Sequence, residues 1–189
     1  MVFTDFDKAF DSVYRDCIWV ALRCQGIPDK IIAIIKAKCR VLQKGKLSEP
    51  FEVHSGVPQG CILSPLLFLL VVGDVVNAAL LSHRNNGLRW TMNRFLQHLV
   101  YADDICLLSH KISYIQDMIR SLEKRAASAG LNINCGKTKI LSLTGGANRT
   151  IEVAVDRFTY LGSVVAAGGG TDMDIENRTN KARSAFFIV

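Results

Sequence analysis

The stretch LVYADDICLL, residues 99–108, decides the fold of this chain. Its two apolar runs are separated only by Asp103 and Asp104, and this spacing predicts two short strands joined in a tight hairpin. A two-residue hairpin turn usually takes Asn-Gly or Asp-Gly, because both central residues need a positive φ. Two adjacent carboxylates break that rule, as they would on a rigid tip that holds a divalent cation. On the dipeptide alone, a solvated turn that tolerates aspartate is the commoner alternative.

Helical and strand-like patterns alternate on both sides of this hairpin. The predicted helices cover residues 12–25, a segment from Pro28 onward, 64–82, 113–129 and a last segment from Thr171. The other predicted strands cover residues 2–6, 139–143, 151–155 and 158–161, and a loose hairpin over residues 39–54 turns near Lys44 and Gly45. This order predicts an α+β domain with an antiparallel sheet backed by helices, not a doubly wound parallel sheet.

Two helix starts carry capping signals. Ser64 is predicted to cap the helix that follows it, with Pro65 at the first helical position, where its missing N–H costs nothing. Ser113 and Gln116 have the spacing of a capping box for the helix over residues 113–129.

The composition is that of a globular domain. The chain has 189 residues, of which 49% are hydrophobic and 21% are charged, and this excludes a disordered or low-complexity segment. Lys and Arg number 23 against 17 Asp and Glu, a net charge of +6 that suggests a polyanionic partner or a solvated basic surface. The six cysteines include no CxxC pair and lie mostly in apolar runs, which favours buried free thiols over a disulfide or zinc framework.

The N-terminus has neither the basic nor the apolar region of a secretory signal. The longest apolar stretch, residues 66–81, contains Gly73, Asp74 and Asn77 and falls short of the roughly 20 residues that a membrane span needs. We therefore expect a buried helix, no membrane partner and an intracellular protein, nuclear or cytoplasmic. The chain opens directly on a strand, which predicts a fragment of a longer protein.

Asp5 lies in the apolar strand predicted over residues 2–6, where an unpaired carboxylate would be costly to bury. If this strand lies beside the hairpin, Asp5 and Asp103 can converge on one site. Mg²⁺ takes oxygen ligands, and two such ions can stabilise the attacking and leaving oxygens of a phosphoryl displacement. The alternative for Asp5 is an edge-strand or capping residue.

Five ordered segments resemble the successive motifs of reverse transcriptases, most closely those of non-LTR (LINE-type) retrotransposons. They are FTDFDKAFD (residues 3–11), SGVPQGCILSP (55–65), YADD (101–104), GLNIN with Lys137 (130–137) and FTYLGS (158–163). The resemblance implies a right-hand polymerase palm with a ferredoxin-like core over residues 1–166. Residues 167–189 would form a helix leading toward the thumb, and the fingers and thumb would be largely missing.

The resemblance also implies an activity and its partners. The activity is RNA-directed DNA polymerisation by two-metal nucleotidyl transfer, with Mg²⁺ as cofactor or Mn²⁺ in its place. The partners are an RNA template, a DNA primer and a dNTP, and the oligomeric state stays open. Two further functions are left open by the residues: an inactive nucleic-acid-binding remnant of a retroelement, and a two-metal phosphoesterase that uses Asp5 and Asp103.

Site residues follow from the matched motifs. The metal ligands would be Asp5, Asp103 and Asp104, and Lys137, or its neighbour Lys139, would be the basic residue near the pyrophosphate and a general acid. Phe10 would exclude a ribose 2′-OH. The nucleotide pocket would be formed by Phe6, Phe10, Pro58, Gln59 and Gly60, and the primer grip by Phe158, Tyr160, Leu161 and Gly162. Without the resemblance, Phe10 would be assigned to the core, the lysines to solvent and residues 158–161 to a plain strand.

Overall fold

The structure, a computed structural model, describes residues 1–36, 40–142, 154–155 and 157–186, with the backbone alone at Ala154 and Phe186. The helices are α1 (Ala9–Ser12), α2 (Arg15–Cys24), α3 (Asp29–Ile35), α4 (Ser64–Leu80), α5 (Ile112–Ser128) and α6 (Asp172–Phe186). The strands are β1 (Val2–Thr4), β2 (Leu42–Gln43), β3 (Lys46–Leu47), β4 (Leu88–Thr91), β5 (Arg94–Leu96), β6 (His98–Tyr101), β7 (Asp104–Leu107), β8 (Lys139–Leu141), β9 (Ala154–Val155), β10 (Arg157–Tyr160) and β11 (Ser163–Ala166).

A five-stranded sheet with the order β6-β7-β1-β8-β9 organises the chain. β1 is antiparallel to both neighbours, with Thr4 opposite Ile105 and Val2 opposite Ile140. The edge pair β8–β9 is parallel, and the pairs β2–β3, β4–β5 and β10–β11 form separate hairpins. The predicted α+β class with a mainly antiparallel sheet is therefore confirmed, and the predicted strand over residues 151–155 has its first part outside the described residues.

The two faces of the sheet pack against different partners, because successive side chains of a strand point to opposite sides. Val2, Ile105 and Leu107 are buried in the core formed with the helices, which includes Phe68 and Leu122. On the other face, Phe3 packs with Cys106 and Leu108 beneath the β10–β11 hairpin. The ring of Phe3 stacks on Phe158 with centroids 4.4 Å apart and lies 5.2 Å from the ring of Tyr160. The first face packs into the core, and the second face lies beneath the β10–β11 hairpin.

The turn of the β6–β7 hairpin lies one residue earlier than predicted. Tyr101 pairs with Asp104, so the turn residues are Ala102 and Asp103, and Asp104 is the first residue of β7. Ala102 takes the positive φ of 54° that the first turn position requires. The ladder keeps four pairs, and the shift places Asp104 in β7 on the face that Cys106 also occupies.

The predicted helix over residues 12–25 is two helices. Val13 and Tyr14 are extended between α1 and α2 because their backbone groups bond to other segments. Tyr14 N–H donates to the carbonyl of Ala129 at 2.8 Å, and the carbonyl of Val13 accepts from Gly56 N–H at 2.8 Å. Tertiary hydrogen bonds thus override the local helical pattern.

Both predicted capping arrangements are wrong. Ser64 is the first residue of α4, and its hydroxyl donates to the carbonyl of Pro58 at 2.6 Å instead of capping, although Pro65 does lie in the first turn. α5 begins at Ile112, so Ser113 is already inside the helix, and its N-cap residue Lys111 makes no side-chain capping bond.

The segment Ser64–His83 is long and apolar enough to cross a membrane by length and composition alone. Half of it is buried, and Phe68, Val72 and Val76 belong to the core. This is the character expected of a core helix, and the predicted buried helix over residues 66–81 lies within it.

The described cysteines are free thiols, as predicted, but they are not generally buried. Cys106 is buried under the hairpin face, whereas Cys24, Cys61 and Cys135 are exposed. Cys39 lies outside the described residues.

α6 is docked on the β10–β11 hairpin and confirms the last predicted helix. The carboxylate of Asp174 accepts a hydrogen bond from Val164 N–H at 2.8 Å, and Arg178 donates to the hydroxyl of Ser163 at 2.6 Å. A boundary between a first unit over residues 1–166 and a second over 167–189 stays a prediction.

Replacing Gly130 by alanine should destabilise the fold by about 2–4 kcal/mol. Gly130 has a φ of 81°, which costs an L residue about 1 kcal/mol or more, and an added Cβ would lie 2.5 Å from the carbonyl oxygen of Ser12. Gly45 is the matched control, because its φ of 77° is similar and an added Cβ there would meet no atom within 4 Å. Gly45→Ala should cost only about 1 kcal/mol in urea unfolding. Equal losses for the two variants would contradict the close packing at Gly130.

Candidate active site

Two carboxylates meet where β1 ends and β7 begins. Asp5 follows the last residue of β1, and Asp104 opens β7. The register that sets Thr4 opposite Ile105 continues by one residue to set Asp5 opposite Asp104, on the face occupied by Phe3 and Cys106. Both carboxylates line one open cavity of about 380 Å³.

The rest of the cavity wall comes from β1 itself and from the segments around β8 and β10. Its remaining lining residues are Phe3, Thr4, Gly136, Lys137, Lys139, Phe158 and Tyr160. Within the described part of the chain, the hydroxyls of Thr4 and Tyr160 are buried without a hydrogen-bond partner. A buried hydroxyl without a partner is costly, so a polar ligand in the cavity would relieve this penalty at Tyr160. Thr4 alternates with Phe3 and Asp5, and its side chain is on the helix face of the sheet.

Lys137 is the basic residue of this site. Its ammonium nitrogen lies 2.6 Å from Oδ2 of Asp5, and the loop that carries it is tied to the strand by a bond from Asn134 N–H to the carbonyl of Asp5 at 2.9 Å. The hydrogen bond to Asp5 and the charge of Asp5 raise the pKa of Lys137, so the side chain stays cationic. Lys139 lines the same cavity, but its ammonium donates to the carbonyl of Gly136 at 3.1 Å. Of the two predicted lysines, Lys137 is the one paired with a carboxylate.

Burial raises the pKa of Asp104, and the neighbouring charges of Asp103 and Asp5 raise it further, while Lys137 partly offsets the shift. Asp103 acts on Asp104 from the adjacent turn and does not itself line the cavity. Over residues 1–36, 40–142, 154–155 and 157–186, no three His, Cys, Asp or Glu side chains are grouped to hold a metal ion by themselves. Two carboxylates facing an open cavity nevertheless fit Mg²⁺, which usually takes one or two carboxylates together with substrate phosphates.

Asp104→Asn should raise the melting temperature at pH 7. Because the folded chain holds the Asp104 proton more tightly than the unfolded chain, this carboxyl lowers stability as pH rises from its ordinary pKa of 3.8 through the raised folded value. The gain should be complete above that folded pKa and should disappear below pH 3.8. Asp117→Asn is the control, because Asp117 lies on the exposed face of α5, where it pairs with Arg120. A lower melting temperature for Asp104→Asn at pH 7 would contradict this electrostatic account.

The predicted nucleotide-pocket residues form a second group around α1. The carbonyl of Phe10 accepts from Val57 N–H at 2.8 Å, and Nε2 of Gln59 lies 3.4 Å from Oδ1 of Asp11. Gly56 permits this approach, because an added Cβ would lie 2.9 Å from the carbonyl oxygen of Asp11. The loop over residues 55–60 is therefore fixed against the helix that carries Phe10.

Phe10 and Phe6 are placed differently. The ring of Phe10 is partly buried and stacks on Phe68 with centroids 4.5 Å apart. Phe6 is only 2% exposed and belongs to the core, so the predicted nucleotide contact does not extend to its side chain. Pro58 and Gly60, by contrast, are exposed on the loop.

The predicted primer-grip residues divide between the cavity and the hairpin tip. Phe158 and Tyr160 line the cavity, while Leu161 and Gly162 form the β10–β11 turn with φ of 49° and 82°. Of the described lining residues, Phe3, Thr4 and Gly136 had no predicted role. Thr4 carried a sequence signal, because it is the only hydroxyl in the opening apolar strand and directly precedes Asp5.

Opposed carboxylates beside a paired lysine, at the strand ends of a helix-backed sheet, have the chemistry of a phosphoryl-transfer site. The profile of the family described as reverse transcriptase (RNA-dependent DNA polymerase) matches residues 1–165, and the chain belongs to this family. The predicted membership of the reverse transcriptases is thus confirmed.

Two relatives and one solved structure show the extent of the likeness. The chain is 26% identical over 175 residues to the Pol polyprotein of retrotransposable element R2 from Popillia japonica, covering 90% of this chain and 28% of the relative. It is 22% identical over 182 residues to the RNA-directed DNA polymerase of mobile element jockey from Drosophila funebris, covering 86% of this chain and 19% of the relative. The fold matches telomerase from Candida albicans, solved with a fragment of telomeric RNA, with a TM-score of 0.62 at 14% identity, covering 90% of this chain and 29% of that one. The chain thus spans less than a third of the length of each of these three proteins. The two retrotransposon relatives confirm the predicted kinship with reverse transcriptases of non-LTR retrotransposons.

Proposed function

We propose that this chain is the palm of an RNA-directed DNA polymerase. In the reaction, the 3′-oxygen of a DNA primer attacks the α-phosphorus of a dNTP opposite an RNA template, and pyrophosphate leaves. The observation that carries the proposal is the opposition of Asp5 and Asp104 in one cavity, with Lys137 beside them. Family membership and the ordered motifs support the same reaction.

The sheet topology supports the palm. β1, β6, β7 and β8, joined by helices after β1 and after β7, lie in the order β6-β7-β1-β8. This is the connectivity of a ferredoxin-like split βαβ unit, which places the end of β1 beside the tip of the β6–β7 hairpin. Residues that are about a hundred positions apart in sequence thereby share one site.

Asp5 and Asp104 would hold the catalytic Mg²⁺ or Mn²⁺, and Asp103 would complete the site from the turn. When bound, the metal ions stabilise charge on the attacking and leaving oxygens of the displacement. A bound cation would suit Asp104, because burial and then the charges of Asp103 and Asp5 raise the pKa of its carboxyl, and a cation would offset that penalty on the charged form.

Lys137 would balance charge at the triphosphate end. Its side chain is 65% exposed and reaches Asp5 from the loop before β8, so it can turn toward a phosphate without unpacking the core. It would neutralise the leaving pyrophosphate and give it a proton as a general acid.

The flanking groups would position the substrates. Phe10 and the loop with Pro58, Gln59 and Gly60 would bind the incoming nucleotide, and the β10–β11 hairpin would hold the primer end. Catalysis of this kind depends mostly on positioning and electrostatics, so regions outside the palm would be needed for an oriented triphosphate and a clamped duplex.

The intracellular location stays a prediction.

Primer extension on an RNA template tests the proposal. We consider a chimera in which residues 1–165 of this chain replace the matching segment of the jockey polymerase. In this chimera we expect nucleotide incorporation that requires Mg²⁺ and dNTPs. The 189-residue chain alone should bind template-primer weakly, lose it with salt and give no processive extension. A folded chimera that binds template-primer without incorporating nucleotides would support the inactive nucleic-acid-binding remnant. Phosphoester hydrolysis without dNTPs would support the phosphoesterase. Full-length product from the 189-residue chain would contradict the need for regions outside the palm.

A further inference from the structure

The β4–β5 hairpin presents an exposed tryptophan away from the catalytic cavity. Trp90 is 73% exposed, whereas Trp19, the other tryptophan, is 5% exposed in the core with the ammonium of Lys36 over its ring. No residue lining the catalytic cavity, among those described, belongs to this hairpin. Tryptophan is enriched at interfaces, where its ring offers a large apolar face for stacking.

The local backbone turns Trp90 outward. The pairing register shifts between Arg89 and Thr91, so Trp90 lies at a bulge in the strand. A bulge re-aims a side chain and is over-represented at functional sites. The exposure of Trp90 is therefore set by the strand geometry of the hairpin.

The base of the hairpin is anchored on both sides. The Gln97 side chain donates to the carbonyl of His83, and the carbonyl of Gln97 accepts from Leu108 N–H at 2.7 Å. The Ser109 hydroxyl donates to the carbonyl of Asn86. Trp90 is consequently presented on an anchored platform.

The charged side chains next to Trp90 in sequence are basic. Arg89 and Arg94 are exposed on the same hairpin, and Arg89 donates to the carbonyl of Met92 across the turn at 3.2 Å. From residue 75 to residue 102, the sequence has three arginines, two histidines and no aspartate or glutamate. This segment therefore carries a positive field suited to a polyanion.

We propose that the β4–β5 hairpin binds single-stranded nucleic acid, with Trp90 stacked on one base and Arg89 and Arg94 on the adjacent phosphates. A π-face for bases beside guanidinium groups for phosphates is the combination that single-strand binding uses. A protein or lipid surface would contact the ring as well, but neither accounts as directly for two arginines in a segment, residues 75–102, that has no aspartate or glutamate. The site is separate from the cavity and does not depend on catalysis there.

Fluorescence of a single-tryptophan protein tests the stacking. In Trp19→Phe, emission arises from Trp90 alone, and a 20-nucleotide single-stranded RNA added without divalent metal or dNTP should quench it. In the otherwise unchanged chain, Trp90→Ala should weaken binding of the labelled RNA about five-fold or more, while Trp90→Phe should keep most of the affinity. Val20→Ala, which removes another exposed apolar side chain, is the control and should bind normally.

The salt dependence tests the arginines. In the double variant Arg89→Gln/Arg94→Gln, the slope of log affinity against log salt concentration should become shallower by about 1.4, which is about 0.7 for each lost phosphate contact. The control Arg120→Gln on α5 should leave this slope unchanged. Both readouts are taken without divalent metal or dNTP, so failure of this site and failure of the catalytic proposal are distinguishable. Unchanged affinity of Trp90→Ala for RNA would overturn the proposal. Quenching of Trp90 fluorescence by anionic lipid vesicles but not by RNA would assign the hairpin to a lipid surface instead, and self-association of the chain that Trp90→Ala abolishes would assign it to a protein contact.

Discussion

Replacing Asp103 by asparagine is expected to lower primer extension by the chimera at least about 1000-fold and to leave its folding intact. The substitution keeps the shape of the side chain and removes one negative charge beside Asp104 and Lys137, both of whose pKa values respond to Asp103. Asp103 lies in the turn between β6 and β7 and is not a core residue, so the sheet should tolerate the change. Single-turnover incorporation of one dNTP measures the effect on chemistry.

Asp117→Asn is the matched control for this prediction. It removes one carboxylate from the exposed face of α5, where Asp117 pairs with Arg120, and extension should be normal. Extension by Asp103→Asn at the parent rate would remove Asp103 from the site, and loss of the folded state in that variant would make Asp103 a structural residue.

Replacing Phe10 by valine is expected to raise incorporation of ribonucleotides relative to deoxyribonucleotides about 10-fold or more. A smaller side chain would leave room for the 2′-OH that the ring is proposed to exclude. The structure adds a cost, because Phe10 stacks on Phe68, and the variant should also melt at a lower temperature. The ratio of kcat/KM values for a matched rNTP and dNTP pair separates selectivity from stability.

Phe68→Leu is the control for Phe10. It loosens the same stacked pair from the buried side, so it should lower the melting temperature without changing the sugar ratio. If Phe10→Val and Phe68→Leu shift the ratio equally, or if neither shifts it, Phe10 is a core residue and not a sugar gate.

The sequence predicted the sheet and hairpins best where pattern and local chemistry agree. The apolar runs on both sides of Asp103 and Asp104 predicted the hairpin, and Lys44-Gly45 predicted the β2–β3 turn, in which both residues have positive φ. These signals are local, so they do not depend on where the rest of the chain lies. The proximity of Asp5 to the hairpin needed the structure, because the pairing of β1 with β7 is a long-range choice.

The failures have tertiary causes. The break at Val13 and Tyr14 arises from hydrogen bonds to Gly56 and Ala129, which no helical pattern encodes. The Asp5–Lys137 contact spans 132 positions, and the motif alone could not distinguish Lys137 from Lys139. The β4–β5 hairpin escaped prediction because its short strands are exposed and irregular, so they show no clean alternation of apolar and polar residues.

Binding of Mn²⁺ to the 189-residue chain, followed by electron paramagnetic resonance with and without a dNTP, tests the carboxylate site most directly. We predict that the parent chain with a dNTP binds Mn²⁺, that Asp5→Asn and Asp104→Asn each weaken this binding at least about 10-fold, and that Asp117→Asn binds as the parent does. Circular dichroism would show that the variants are folded. Equal Mn²⁺ affinity in the parent, Asp5→Asn and Asp104→Asn would contradict the proposal that these two carboxylates hold the catalytic metal.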